Sequence, residues 1–258
     1  MIADLFSQIQ DTSVDAGRLV LWYLGGAGYA LKSAATTLLI DPFIGPGHPP
    51  EWTRLTPPAF SPGQVRDIDA LLLTHEHDDH TDPVALDAVR LRTEATLIGP
   101  KSSVAVAKQH KWPLKRCQTL PHQATLVLND LRITAVPMQD PNAKGCNGYV
   151  IECGKTVLLH AGDSHYFAGF AALARRWSFT AICVSVAYNP PGKLLYMDEC
   201  DAARAARDTK ARLLVVHHYD LWQGYTLDPE QVRTAAAWYC PESCVVAAKV
   251  GEALEIGC

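Results

Sequence analysis

The chain has 258 residues, 48% hydrophobic and 19% charged, with a formal net charge of −4. That composition is ordinary for a soluble globular protein, and the acidity excludes the basic footprint of a nucleic-acid or polybasic membrane-surface binder. Its apolar runs, about five to seven residues at the longest, are too short to span a bilayer.

The opening MIADLFSQIQDTS carries Asp4, no basic n-region and no long apolar stretch, so it does not read as a secretory signal. Strand character begins with RLVLWYL (18–24), YALKS (29–33) and TTLLIDP (36–42). The proline-rich stretch 45–63 reads as a long surface loop beside whatever site exists. DALLLT (69–74) is the next strand, and a helix over 83–92 opens after Asp82, a good N-cap with proline next. The strand ATLIGP (95–100) and a helix over 102–109 follow. The second half offers the strands LRITAVP (131–137), GYVIE (148–152) and TVLLHAG (156–162), then a helix over 168–176. FTAICVSV (179–186), a helix over 197–209, RLLVVHH (212–218), a capped helix over 228–239 and SCVVAAKVG (243–251) complete the series. No repeat, low-complexity tract or linker interrupts it, so residues 1–258 read as one domain. The order predicts two β-sheets covered by helices on their outer faces.

The chemistry concentrates in THEHDDHTD (74–82), directly after an apolar run. His75 and His77 are two apart and project to the same side of an extended chain; Asp79 and His80 follow on a turn. Imidazole and carboxylate are the ligand types that hold Zn2+, Mn2+ or Fe. Unpaired and half-buried, such groups would repel one another and lose hydration, a cost that a divalent cation offsets. The eight cysteines, Cys117, Cys146, Cys153, Cys183, Cys200, Cys240, Cys244 and Cys258, include no CxxC pair. They read as reduced, mostly buried thiols of a cytoplasmic protein, and Cys240 with Cys244 lacks the partner pair of a metal site. LGGAG (24–28) lacks the helix of a dinucleotide site and reads as a tight turn near the metal edge. No G-x-S-x-G element is present. His48, His110 and His122 read as surface or loop residues.

HEHDDH resembles the HxHxDH signature of the metallo-β-lactamase fold superfamily. WYLGGAGYALKS with TTLLIDPF is similar to its opening strands, GYVIE and TVLLHAGDS to its later pair, and LLVVHHYDLW to the strand bearing its last histidine. LGGAGYALKS, IGPKS (98–102), HAGDSHY and HHYDLW together resemble the L-ascorbate-6-phosphate lactonase branch. The resemblance implies a four-layer αββα sandwich. It assigns His75 and His77 to metal 1, Asp79 and His80 to metal 2, Asp163 as the bridge and His218 as the last ligand of metal 2, with His217 as a buried neighbour. Most of the superfamily has a further histidine after the strand that here reads ITAVP. This chain continues Met138-Gln139-Asp140, so Asp140 is the candidate substitute, as in the lactonase branch. A carboxylate there favours Mn2+ somewhat over Zn2+. Asp41, His160 and His165 are expected to orient the ligands.

These ligands imply one or two divalent cations per chain, Mn2+ or Zn2+, and hydroxide attack on an ester-like carbonyl, with Asp79 holding the nucleophile. The resemblance implies a lactone substrate, including a sugar-phosphate lactone. Arg54, Lys144 and Lys193 lie on segments able to line the mouth of the site and meet a phosphate, though each reads first as a solvated surface charge. A phosphodiester hydrolase on the same fold is one alternative; a non-hydrolytic metal-binding or redox protein is another. The expected partner is a small molecule, not nucleic acid or a membrane. Trp22, Tyr23, Tyr188 and the segment 222–225 suit a pocket wall or a dimer face, with core packing the main task. Oligomeric state is left undetermined.

Overall fold

Most central strands are buried on both faces, which is why they read as continuous apolar runs rather than as alternating ones. The computed structural model describes residues 4–257; residues 1–3, at the head of the N-terminal reading, and Cys258 lie outside them. The first half runs α1 (Leu5–Asp11), β1 (Leu19–Gly25), β2 (Gly28–Lys32), β3 (Thr37–Ile40), β4 (Gly47–His48), β5 (Trp52–Thr53), β6 (Ala70–Leu72), α2 (Pro83–Arg92), β7 (Thr96–Gly99), α3 (Lys101–Gln109) and β8 (Cys117–Thr119). The second runs β9 (Thr125–Leu128), β10 (Leu131–Pro137), β11 (Asn147–Cys153), β12 (Thr156–His160), α4 (Gly169–Leu173), β13 (Ala181–Ser185), α5 (Glu199–Thr209), β14 (Leu213–His217), α6 (Pro229–Tyr239), β15 (Cys244–Val246) and β16 (Ala253–Ile256).

One sheet has the order β16-β1-β2-β3-β6-β7-β8 and the other β15-β14-β13-β12-β11-β10-β9. Each is antiparallel in its meander and parallel beyond it, from β3 to β8 and from β12 to β15. Strand parity sorts the side chains into layers. Leu19, Leu21 and Tyr23 of β1 meet Ile133, Ile151 and Val215 between the sheets. Val20, Trp22 and Leu24 turn outward to Phe6, Leu86, Val89 and Val104 of α1, α2 and α3. Leu214 and Val216 of β14 turn outward to Phe170, Ala205 and Val232 of α4, α5 and α6. The result is the expected αββα order of layers. Among the described residues no helix is long and apolar enough to cross a membrane.

Three of the expected helices lie where their signals placed them. Asp82 caps α2, Asp198 caps α5 and Asp228 caps α6, each accepting a backbone N–H of the first turn. The helix expected over 168–176 is shorter, because the chain past Leu173 tightens into i→i+3 bonds such as Arg176 N to Leu173 O (2.9 Å). The strand expected over 243–251 stops at Val246. A turn closed by Glu252 N to Lys249 O (2.9 Å), with Gly251 at φ +82°, sends the chain into β16 of the opposite sheet. The loop 45–63 holds the small β4–β5 hairpin. The elements α1, β8, β9 and β16 were not legible, each being too short to show a period.

Leu72 is fully buried between the sheets at the end of the strand that leads to His75. Leu72→Ala is expected to cost about 2–5 kcal/mol, read by urea unfolding as a lower midpoint with an unchanged m value.

Candidate metal centre

The candidate ligands converge because the C-terminal ends of β3, β6, β10, β12 and β14 open onto the same edge of the two sheets, where loops begin. Asp41 follows β3, the stretch 74–82 follows β6, Asp140 follows β10, Asp163 follows β12 and His218 follows β14. After β6 the chain folds tightly: the amides of His80 and Thr81 both donate to His77 O (2.9 and 2.7 Å). This turn brings three imidazoles together, with ring centroids 4.5 Å apart for His75–His77 and 3.9 Å for His75–His80.

The ionisable atoms form two groups, each with its members within 4.8 Å of one another. In the first, His75 Nε2 and His77 Nδ1 each lie 3.4 Å from Asp140 Oδ2. In the second, His80 Nε2 lies 3.0 Å from Asp163 Oδ2 and 3.8 Å from Asp79 Oδ2. His218 Nε2 lies 3.2 Å from Asp79 Oδ2 and 3.7 Å from Asp163 Oδ2. All seven side chains named from the sequence are therefore in these groups. His217 is not: it packs below the edge against Tyr29 (Nδ1 to OH, 3.3 Å) and the ring of His160. The seven described cysteines contribute to neither group and are all free.

Hydrogen bonds set how the rings face. Asp41 accepts from Thr74 N (2.8 Å), Thr74 Oγ1 (2.5 Å) and His80 Nδ1 (2.8 Å). With its proton committed to Asp41, Thr74 Oγ1 accepts from His75 Nδ1 (3.0 Å). Both imidazoles are thus left with Nε2 as the basic nitrogen toward the other candidate ligands. Asp163 accepts from Ser185 Oγ (2.5 Å). His160 steadies the loop before Asp163: Gly162 N donates to its Nδ1 (3.2 Å), while its Nε2 donates to Ala27 O (2.8 Å). His165 acts through its backbone rather than its ring. Its amide donates to Gln139 O (2.7 Å), beside Asp140, and its ring Nε2 is buried without a protein partner.

The LGGAG turn abuts this edge, as expected. Gly26, at φ +60°, accepts from His218 N (2.9 Å), and His218 itself has φ +69°. A Cβ on Gly28 would sit 2.9 Å from Asp41 O, so only glycine lets the turn approach so closely.

The two groups differ electrically. Burial pushes the carboxyls of Asp79 and Asp163 up, but His80 and His218 outweigh it and hold both below the ordinary range, Asp163 well below. Burial lowers His80 and His218 too, yet Asp163 and Asp79 hold both above the ordinary histidine value, His80 well above. His75 is pushed well below it, first by burial and then by His80, and burial raises Asp140. A divalent cation fits this set. The donors are imidazole nitrogen and carboxylate oxygen, and His80 Nε2 is buried with no hydrogen bond aligned to it.

Several residues at the site carried no signal in the sequence. Ser185 has no motif around it, and Tyr196 packs on His218 with ring centroids 4.5 Å apart. His48, read as a surface residue, is exposed but stands at the cavity mouth with its Nε2 2.9 Å from Asp78 Oδ2. Thr74 was findable, being the residue that joins the strand to the motif.

Residues 36–219 match the beta-lactamase superfamily domain family. The chain belongs to that family, within the metallo-β-lactamase superfamily of metal-dependent hydrolases. It is similar to a probable L-ascorbate-6-phosphate lactonase UlaG of Escherichia fergusonii, 25% identical over 273 residues that cover 89% of this chain and 77% of the relative. An isothiocyanate hydrolase from Delia radicum gut bacteria superposes with a TM-score of 0.76 at 17% identity, over 91% of this chain and 98% of that one. Igni18, a metallo hydrolase of Ignicoccus hospitalis, gives 0.73 at 17%, over 93% and 99%. At such identities the structural likeness shows the fold.

Asp41→Asn keeps the shape but loses the carboxylate that orients His80, and is expected to weaken metal affinity about 10- to 100-fold, measured by competition with a chromophoric chelator. In chelated protein the pairing of His80 and His218 supplies stability that is complete below the ordinary histidine value of 6.5 and is lost as pH rises through their raised folded values. The depressed Asp79 and Asp163 supply stability above the ordinary 3.8, lost as pH falls through their folded values. His75, depressed, removes stability only below 6.5. Calorimetry in EDTA should therefore show Tm falling from neutral to alkaline pH, and added metal should abolish the fall.

Proposed function

We propose that this protein is a metal-dependent hydrolase that opens a lactone or a comparable small ester. One observation supports the reading above the others: two groups of imidazoles and carboxylates meet at one loop edge, and four of their members, His77, Asp79, Asp140 and Asp163, line a single cavity. His75, His77 and Asp140 would hold one divalent cation, Mn2+ or Zn2+, and Asp79, His80, Asp163 and His218 a second, so that one or two are carried per chain. When bound, such a cation lowers the pKa of a coordinated water toward about 7 and polarises the ester carbonyl.

The rest of the work falls to the chain. Asp79 stays ionised beside His80 and His218 and lines the cavity, so its carboxylate can accept a hydrogen bond from the attacking water and aim its lone pair. Asp41 and Thr74 keep His80 and His75 in the tautomers that leave Nε2 basic. Ser185 holds one oxygen of Asp163 and leaves the other to the ligand group. Phe43, Trp52 and Trp222 give the cavity an apolar side that excludes water from the reacting carbonyl. Residues 1–258 would work as one domain on a small molecule in the cytoplasm, a reducing compartment in which the free thiols are at home.

Elemental analysis of protein purified without chelator is expected to find about one to two Mn or Zn per chain, as the two donor groups require. His77→Ala and Asp163→Ala should each lose on the order of 100-fold or more in kcat/KM on a lactone panel while keeping the wild-type far-UV spectrum. Undiminished activity in both variants overturns the reading.

A further inference from the structure

The cavity before the candidate centre has a volume of about 520 Å3, in the range of sites that enclose most of a small ligand. Its outer wall is aromatic. Trp52 and Trp222 meet at 5.6 Å and 65°, Phe43 lies 5.6 Å from Trp222, and Tyr225 stacks behind Trp52 at 5.1 Å and 22°. Tyr196, on His218, carries the wall up to the candidate ligands. Phe43, Tyr196 and Trp222 are buried and Trp52 is half-buried. The rings are thus already packed against one another, and a flat ring can join them without reordering them.

Beyond the histidines, of which His48 pairs with Asp78 (2.9 Å), the charged side chains of the wall are all carboxylates. Glu76 and Asp78 line it. Glu76 Oε1 accepts the amide of Lys144 (2.6 Å), and its Oε2 is buried without a protein partner. Among the described residues no lysine or arginine lines the cavity. Of the three cations considered for its mouth, Arg54 and Lys193 are engaged elsewhere and Lys144 is exposed to solvent. Arg54 lies behind Phe43, its guanidinium carbon 4.3 Å from that ring, and donates to Thr56 O, Phe43 O and Gly45 O (2.5, 3.1 and 2.9 Å). Lys193 Nζ donates to Tyr225 OH (3.1 Å), and Lys144 is exposed and meets the wall through its backbone. Phosphate recognition rests on positioned cations or donor forks. Apart from the cations proposed at the centre itself, a phosphate carried out along this wall would meet carboxylates and no lysine or arginine.

We propose that the cavity selects uncharged acyl compounds bearing an aromatic or similarly flat apolar ring, and disfavours phosphorylated ones. This rests on the hydrolase reading above and narrows its substrate class.

The test uses the metal-loaded protein and three probes: 3,4-dihydrocoumarin, its non-hydrolysable lactam 3,4-dihydro-2-quinolinone, and glucose 6-phosphate. By calorimetric titration the lactam is expected to bind at least about ten-fold tighter than glucose 6-phosphate. Trp52→Ala should weaken the lactam by about five- to ten-fold, the size of one lost ring contact, and Trp52→Phe should keep most of the affinity. Tighter binding of glucose 6-phosphate than of the lactam, lost in Lys144→Ala or Lys193→Ala, overturns the proposal. So does failure of the lactam to bind. Hydrolysis separates the two readings. Dihydrocoumarin and the ringless δ-valerolactone turned over equally, with no effect of Trp52→Ala, would refute the ring preference and leave the hydrolase standing. Ring-dependent lactam binding without turnover of any lactone would do the reverse.

Discussion

Charge held out of water at one edge of two stacked sheets is the constraint on which this structure turns. His75, His80, Asp163 and His218 are buried, as is Asp41 behind them. Burial disfavours each ionised form, and the effective penalty is still several kcal/mol per ion after relaxation. The fold meets that cost in three ways. It pairs His80 and His218 with Asp79 and Asp163, it gives Asp41 three donors, and it leaves His80 Nε2 for a cation. Removing one member leaves its partner charged and buried, so the groups stand or fall together.

The surrounding framework serves that edge. The β1–β2 turn takes up the backbone of His218 and the ring of His160 through two successive carbonyls, of Gly26 and Ala27. Gly28 lets the same turn press on Asp41. Asp82 does two tasks at once: it caps α2 through Val84 N and holds the loop after β3 through the amides of Ile44 and Gly45 (2.9, 2.8 and 2.9 Å). The motif loop and the Asp41 loop therefore cannot drift apart without opening a helix end. Beneath them Tyr29, His160 and His217 pack ring against ring as a buried floor.

The outer wall is built differently. Phe43, Trp52, Tyr196 and Trp222 come from loops and from the two-residue strand β5, not from the main sheets. Rigid sheet ends hold the candidate ligands, and loops hold the rings that line the cavity. This division explains how proteins of one fold and similar ligand geometry act on different molecules, and why the wall rather than the ligand set bears on substrate class.

The sequence by itself determined the layered α/β architecture, three capped helices and the seven candidate side chains that gather into the two groups. Each of those signals is local: apolar runs bounded by glycine and proline, Asp-Pro starts, and His-x-His-x-Asp-His at the end of a strand. It also placed Asp140, as the only acid where the resemblance wanted a ligand. The short elements it missed or misjudged, such as β8 and the truncated α4, have no period to read. Only the tertiary structure decided which neighbours complete the site. His218 reaches Asp79 across 139 positions, Asp41 reaches His80 across 39, and Ser185 reaches Asp163 across 22. It also decided that Arg54 and Lys193 turn to protein groups rather than to the cavity. The reason is physical: a metal ligand declares itself by its own chemistry, whereas a hydrogen-bond partner or a pocket wall exists only once distant segments are packed together, and packing leaves no mark at a fixed spacing along the chain.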